Sequence, residues 1–322
     1  MSLVYWKHTP KLSCHPKPDV RYAVNMTVAA LHEEFSAPGL STISAALIDL
    51  TGRPIFSMTG NAISCGRMVS LANCLGLNRD PSNWKLSQQE KDHRIRLWWG
   101  VVIHDRWGSF GHGVPPQISK TQYDVPLPSV DGLVAPNNRS NERVKAAHCH
   151  IALCKLTEIL GELLPLVYGL QAKLARESSK KIRQIRTDLD LWEDSLPEWL
   201  RVPMRHRGEQ VYASSSLQLA FLAVQMLVSR VELNVRLQAL VKINVHYLLT
   251  YIYRRSITQK PTTPKLAATF KLNAAGPQRK LCGSLRLFGQ RTSRNSGYHV
   301  SSTGARTYLI NILMSSQTAL ST

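Results

Sequence analysis

Apolar residues in the second half of the chain recur in alternating steps of four and three. Cys149, Leu153, Leu156, Leu160, Leu163, Val167 and Leu170 form one such seam. Ile182, Ile185, Leu189, Trp192 and Leu196 form a second, which Pro197 stops. Leu217, Ala220, Val224, Leu227 and Val231 form a third, widened by Phe221, Leu222, Val228 and Val235. A period of about 3.6 residues keeps each set on one stripe of an α-helix. Pro165 predicts a kink near the end of the first seam, because proline withdraws one backbone donor.

The first half reads the same way with shorter elements. A helix is predicted over 28–35, broken by Pro38 and Gly39. Another covers 41–50, with Ile43, Leu47 and Leu50 on one face and the Ser41 hydroxyl placed to cap it. A third covers 62–77, with Met68, Leu71, Leu75 and Cys74 inward. Ser87 and Glu90 then spell a capping box, in which each side chain accepts from the other residue's backbone N–H. The helix it opens, over 88–107, carries Ile95, Trp98, Trp99, Val102 and Ile103 on a broad face. That face predicts a central position. Gly108, Gly111, Gly113, Pro115 and Pro116 are expected to end it. Residues 123–128 must be extended, since each proline there bars helix for the residue before it.

No strand alternation interrupts these patterns, so the fold class is all-α. The expected organisation is a poorly defined segment over 1–40, a domain of packed antiparallel helices over 41–240, and a disordered basic tail over 241–322.

Charge supplies the tail boundary. The chain has 322 residues, 40 Lys plus Arg against 21 Asp plus Glu, and a formal charge of +19. The last acid is Glu232, and the Ser- and Thr-rich stretch over 239–322 holds twelve basic residues and no acid. Such a tail contacts nucleic acid weakly through counterion release. A hydrophobic share of 43% excludes a wholly disordered protein. The uncharged run over 210–229 is long enough to cross a bilayer, but its glutamines and four serines favour a core helix. The run over 243–253 is too short to cross. No membrane association is expected, and residues 1–10 lack the apolar core of a secretory signal.

Six cysteines stand at 14, 65, 74, 149, 154 and 282, with no C-x-x-C pair, which leaves no disulfide scaffold and no zinc ribbon or finger in the spacing. Reduced thiols in an intracellular protein are the expectation. His104-Asp105 is a doublet that metal-dependent hydrolases also use, with His93 the one further histidine upstream on a helix. His148, Cys149, His150 and Cys154 offer soft ligands, but Cys149 lies on an apolar seam. Asp105 is expected instead to pair with Arg94, Arg96 or Arg106. The glycines over 108–113 follow a helix rather than open one, the reverse of a phosphate cradle. No catalytic set emerges, and an interaction or regulatory protein is the reading that residues alone support.

Five short words occur in order. They are Leu75-Gly-Leu-Asn-Arg79-Asp80-Pro-Ser-Asn-Trp84, Glu90-Lys91, Arg94-Ile-Arg96-Leu-Trp98-Trp99, Asp105-Arg106-Trp107 and Asp124-Val-Pro-Leu-Pro128. This block resembles the fungal-specific transcription factor domain, the middle homology region of fungal zinc-cluster regulators. The residues over 41–47, 191–197 and 217–230 resemble the flanking helices of that family, so the likeness covers about two-thirds of the chain. Its wording is nearest to activators of nitrogen and amino-acid catabolic genes.

The resemblance implies a nuclear regulatory domain that restrains or relays activation, is not an enzyme, and works with other regulators or coactivators as a homo- or heterodimer. An effector pocket is part of the same implication. It also marks Arg79, Asp80, Trp84, Arg94, Arg96, Trp98, Trp99, Asp105 and Arg106 as the structural motif. Arg94, Arg96 and Asp105 are expected to form a partly buried ion network, with Trp98 and Trp99 anchoring the core. Two departures stand out. Gly113-Val114-Pro115 replaces the Gly-Arg-Pro usual after the Asp-Arg helix. The six-cysteine zinc cluster that reads DNA in that family is absent from residues 1–60, which hold Cys14 alone, so no cofactor is expected in this chain. A truncated or alternatively spliced regulator that acts through a partner would account for these features and for the tail.

Overall fold

The computed structural model describes residues 19–52, 58–169, 175–201 and 214–258, with 11 and 14–16 besides. Every regular element among the described residues is helical. In chain order these are α1 (Val20–Glu34), α2 (Leu40–Gly52), α3 (Met58–Cys74), α4 (Gln88–His112), α5 (Val130–Leu133), α6 (Asn141–Tyr168), α7 (Ala175–Asp194), α8 (Glu198–Arg201) and α9 (Ser214–Thr258), with two 3-10 turns at Lys120–Gln122 and Pro136–Asn138. The all-α class expected from periodicity is what the chain adopts.

Two compact units divide the described chain, one running to Val231 and the other beginning at Glu232. In the first, α4 is the axis: α3 and α6 pack on it from different sides, α2 packs on both α3 and α4, and α7 packs on the far side of α6. The reason lies in its composition. From Leu97 to Trp107 every residue is buried, whichever way it faces, so this stretch can be covered only by neighbours on all sides. Trp98, Trp99 and Trp107 are each 0% exposed. Replacing one such side chain by alanine costs about 3–5 kcal/mol.

The seams are buried along most of their length, but Val167, Leu196 and Val235 are half-buried, Leu222 is exposed, and Cys74, expected inward on the helix before α4, is exposed too; Leu170 lies outside the described residues. Leu153, Leu156, Leu160 and Leu163 of α6, Ile182, Ile185, Leu189 and Trp192 of α7, and Leu217, Ala220, Val224, Leu227 and Val231 of α9 are all buried. Trp192 stacks on Phe221 of α9 with ring centroids 5.4 Å apart, and its indole N–H donates to Ala152 O at 2.9 Å. By length and composition the stretch Ser214–Leu237 could cross a membrane, yet one face of it carries the domain's core, as in a core helix.

Helix ends are where the pattern and the structure part. α1 begins at Val20, not 28, because Asp19 caps it by accepting the Tyr22 N–H at 2.8 Å. It occupies much of the segment expected to be poorly defined. Ser41 lies inside α2 rather than capping it; the Gly39 N–H goes instead to Thr42 Oγ1 at 2.9 Å. α4 runs through Gly108 and Gly111 and stops at Gly113, which takes φ 72° and donates its N–H to Ser109 O. Its opening is as expected, with the Ser87–Glu90 capping box formed. Pro165 sits inside α6, which continues to Tyr168.

In the second unit, helix α9 continues from Glu232 to Thr258, where the charge pattern suggested that a disordered tail begins at 241. Glu232 and Arg236 pair along the helix at 2.6 Å, one turn apart. The rest of the expected tail, 259–322, lies outside the described residues.

Candidate functional site

The motif residues converge on α4 and on the two loops that flank it. The loop after α3 is stitched to the extended segment that precedes α5. Asp124 is the stitch: its carboxylate pairs with Arg79 at 3.0 Å and accepts the Asp80 N–H at 2.7 Å. Asn78 donates its amide to Gln122 O at 3.0 Å and accepts the Asp124 N–H at 3.2 Å. The Asp80 side chain folds back on Ser82, accepting its N–H and hydroxyl, and these two bonds hold the Asp80 carboxyl below the usual carboxylate range. Trp84 lies under the Arg94 guanidinium at 5.1 Å, and Arg94 also donates to Leu75 O at 3.2 Å.

One turn further along α4, Trp99 donates its indole N–H to Pro126 O at 2.7 Å, which fixes the extended Pro-rich segment against the helix. Trp98 and Trp99 both touch the Tyr123 ring, with centroids 5.5 and 6.2 Å away.

The expected ion network of Arg94, Arg96 and Asp105 does not form. Asp105 instead accepts the backbone N–H groups of Gln117 and Ile118 at 2.9 and 3.0 Å. The geometry of a helix explains this. Arg94 and Asp105 are eleven residues apart, about 16 Å along the axis, which is beyond side-chain reach. Arg106, the neighbour of Asp105, points to another face. Burial raises the Asp105 pKa, and the two amide bonds and the Arg106 charge oppose that rise.

Arg106 is a buried cation, 1% exposed. Its guanidinium donates to Thr157 O and to the Tyr123 hydroxyl, both at 3.1 Å, while its Nε has no partner. Tyr123 in turn leans toward Glu158, which pairs with Lys120. Thr157 binds twice more: its hydroxyl accepts the Trp107 indole N–H at 2.9 Å and donates to Leu153 O at 2.7 Å. Asp105-Arg106-Trp107 thus reaches three separate partners: the loop at 117–118, the Tyr123 ring and α6. Thr157 and Tyr123 carried no periodic signal of their own. Tyr123 adjoins the Asp124 word, which was the one hint.

The metal alternative finds no ligand set. Among the described residues no group of three or more His, Cys, Asp or Glu side chains could hold a metal ion. His104 is buried, and burial alone pushes its pKa down to about 3. His150 is held down to about 4 by burial and by Arg96, and its Nε2 lies 3.7 Å from Cys154 Sγ. Cys65 is buried in α3 and Cys149 and Cys154 in α6, and burial raises all three thiols, Cys149 to about 12. Cys282 lies outside the described residues.

The ordered words thus bind two loops and a second helix to one central helix. Residues 57–194 match the model of the fungal specific transcription factor domain. An uncharacterized transcriptional regulatory protein of Schizosaccharomyces pombe is 29% identical over 178 residues, covering 55% of this chain and 27% of that protein. The transcriptional activator protein DAL81 of Saccharomyces cerevisiae is 25% identical over 274 residues, covering 71% of this chain and 28% of its own length. The nitrogen assimilation transcription factor nit-4 of Neurospora crassa is 25% identical over 201 residues, covering 56% of this chain and 18% of its own. The chain therefore spans roughly a quarter or less of these relatives, all named as transcription regulators. No solved structure matches it.

Proposed function

We propose that this chain supplies the regulatory domain of a nuclear transcription regulator. In this reading it works with a partner regulator or coactivator, as a homo- or heterodimer. The observation that supports it is the folding of all five family words into one unit around α4. Each word has a stated structural task, and none of them builds a catalytic group. Two relatives are named for transcriptional activation and nitrogen assimilation, which supports a role in controlling nitrogen-related genes. Any contact with DNA by the basic residues beyond 258 would be weak and sequence-independent.

The test is a reporter assay with the 322-residue chain tethered to an unrelated DNA-binding domain. A change in reporter output relative to the DNA-binding domain alone is expected, in either direction, and Arg106→Gln should reduce it. Output equal to that of the tether alone, with the fusion folded and nuclear, would refute a regulatory role.

A further inference from the structure

A cavity of about 290 Å³ opens between the start of α2 and the first turns of α4, away from Arg106 and Asp105. Leu40 and Leu86 form its apolar side, and Glu90, His93, Arg94 and Arg96 its polar side. The spacing of three and four residues along α4 puts these polar groups on one face.

The charges there do not balance. The Glu90 carboxylate is engaged at the helix cap, accepting the Ser87 N–H at 2.9 Å and its hydroxyl at 2.7 Å. Arg94 spends one N–H on Leu75 O and holds its guanidinium over Trp84. Arg96 makes no hydrogen bond and no ion pair among the described residues, and its Nε is buried without an acceptor. His93 feels the charge of both guanidinium groups. Burial first, then Arg96 and Arg94, hold its pKa below the usual histidine value. A buried N–H with no acceptor is costly, and a guanidinium fork matches a carboxylate with two parallel hydrogen bonds.

We propose that this cavity binds a small organic carboxylate, its anionic end on the Arg96 fork and its apolar body against Leu40 and Leu86. The assignment rests on the cavity's own geometry and stands apart from the regulatory reading.

The experiment uses the full 322-residue chain and isovalerate, a short branched carboxylate, as the probe. Isovaleramide is the uncharged isostere, and inorganic phosphate is the anion without an apolar body. Binding is read by titration calorimetry and by the shift in thermal midpoint. Isovalerate is expected to bind and to raise the midpoint, with isovaleramide and phosphate at least tenfold weaker. Arg96→Gln should weaken isovalerate at least tenfold with unchanged helical circular dichroism, and Arg96→Lys should recover part of the loss. Failure of isovalerate to bind at millimolar concentration would overturn the assignment. So would equal binding of isovaleramide, and so would phosphate binding as tightly as isovalerate. The comparison of the three probes decides the matter on the unmodified chain even where a variant does not fold.

Discussion

Arg106 and Gly161 meet across the α4–α6 contact, and the guanidinium lies where a side chain on Gly161 would have to go. A methyl group there would sit well inside contact distance of Arg106 Cζ and Nε. The absence of a β-carbon on α6 is therefore what lets a buried cation reach Thr157 O and Tyr123.

Gly161→Ala accordingly pits two effects against each other. Alanine favours a helix interior over glycine by about 1 kcal/mol. Displacing a fully buried guanidinium from its acceptors costs about 3–5 kcal/mol. The net loss should be about 2–4 kcal/mol in urea denaturation. In an Arg106→Leu background the same change should cost far less, so the double-mutant cycle should show strong coupling. Additive losses would mean that the two residues do not compete for the same space.

Thr157→Val keeps the shape of the side chain and removes the acceptor for the Trp107 indole. A buried N–H is then orphaned, and a loss of about 1–3 kcal/mol is expected. Trp107 fluorescence reports the same change locally. Unaltered stability would show that the indole finds another acceptor.

Arg79→Ala should behave in the opposite way. Arg79 and Asp124 form an ion pair with side chains 66% and 49% exposed, so its removal should change stability by no more than about 0.5 kcal/mol. Asp124→Ala goes further, because the Asp80 N–H loses its acceptor too. Limited proteolysis should cut the 78–84 loop faster in the Asp124 variant than in the Arg79 variant. Equal rates would show that the ion pair, not the backbone bond, holds the loop.

The buried histidines set a pH dependence whose sign is fixed. Their native pKa values lie below the ordinary 6.5, near 3 for His104 and 4 for His150, so the unfolded chain binds more protons between those limits. The stability they contribute is complete above 6.5 and is lost progressively as pH falls toward 4 and 3. His93 and His112, also held low, add to the loss in the same direction. Asp105 runs the other way: its raised native pKa makes stability fall as pH rises above 3.8, until the carboxyl ionises in the folded state. Urea midpoints measured across this range should drop steeply below pH 6.5. The combined His104→Leu and His150→Leu variant should flatten that slope. An unchanged slope would place the acid sensitivity elsewhere.

These predictions separate what periodicity shows from what it cannot. The seams on α6, α7 and α9, the capping box at Ser87 and the buried tryptophans of α4 were all legible, because each arises from spacing within one helix. Asp105 was misread because its partners are backbone amides, which leave no trace in residue type. Thr157 and Gly161 were invisible for a related reason: they matter through α4, some fifty residues away in sequence. Gly108 and Gly111 were read as stops because glycine weakens a helix. Burial of Trp107, Ser109 and Phe110 outweighs a penalty of about 1 kcal/mol per glycine.

The grip of Asp105 on the amides of Gln117 and Ile118 bears on the chain's history. A carboxylate that holds a loop by its backbone is indifferent to the side chains the loop displays. The connection from Gly113 to Gln117 can accumulate substitutions over generations while its exit stays anchored, and Val114, 40% exposed, lies within it.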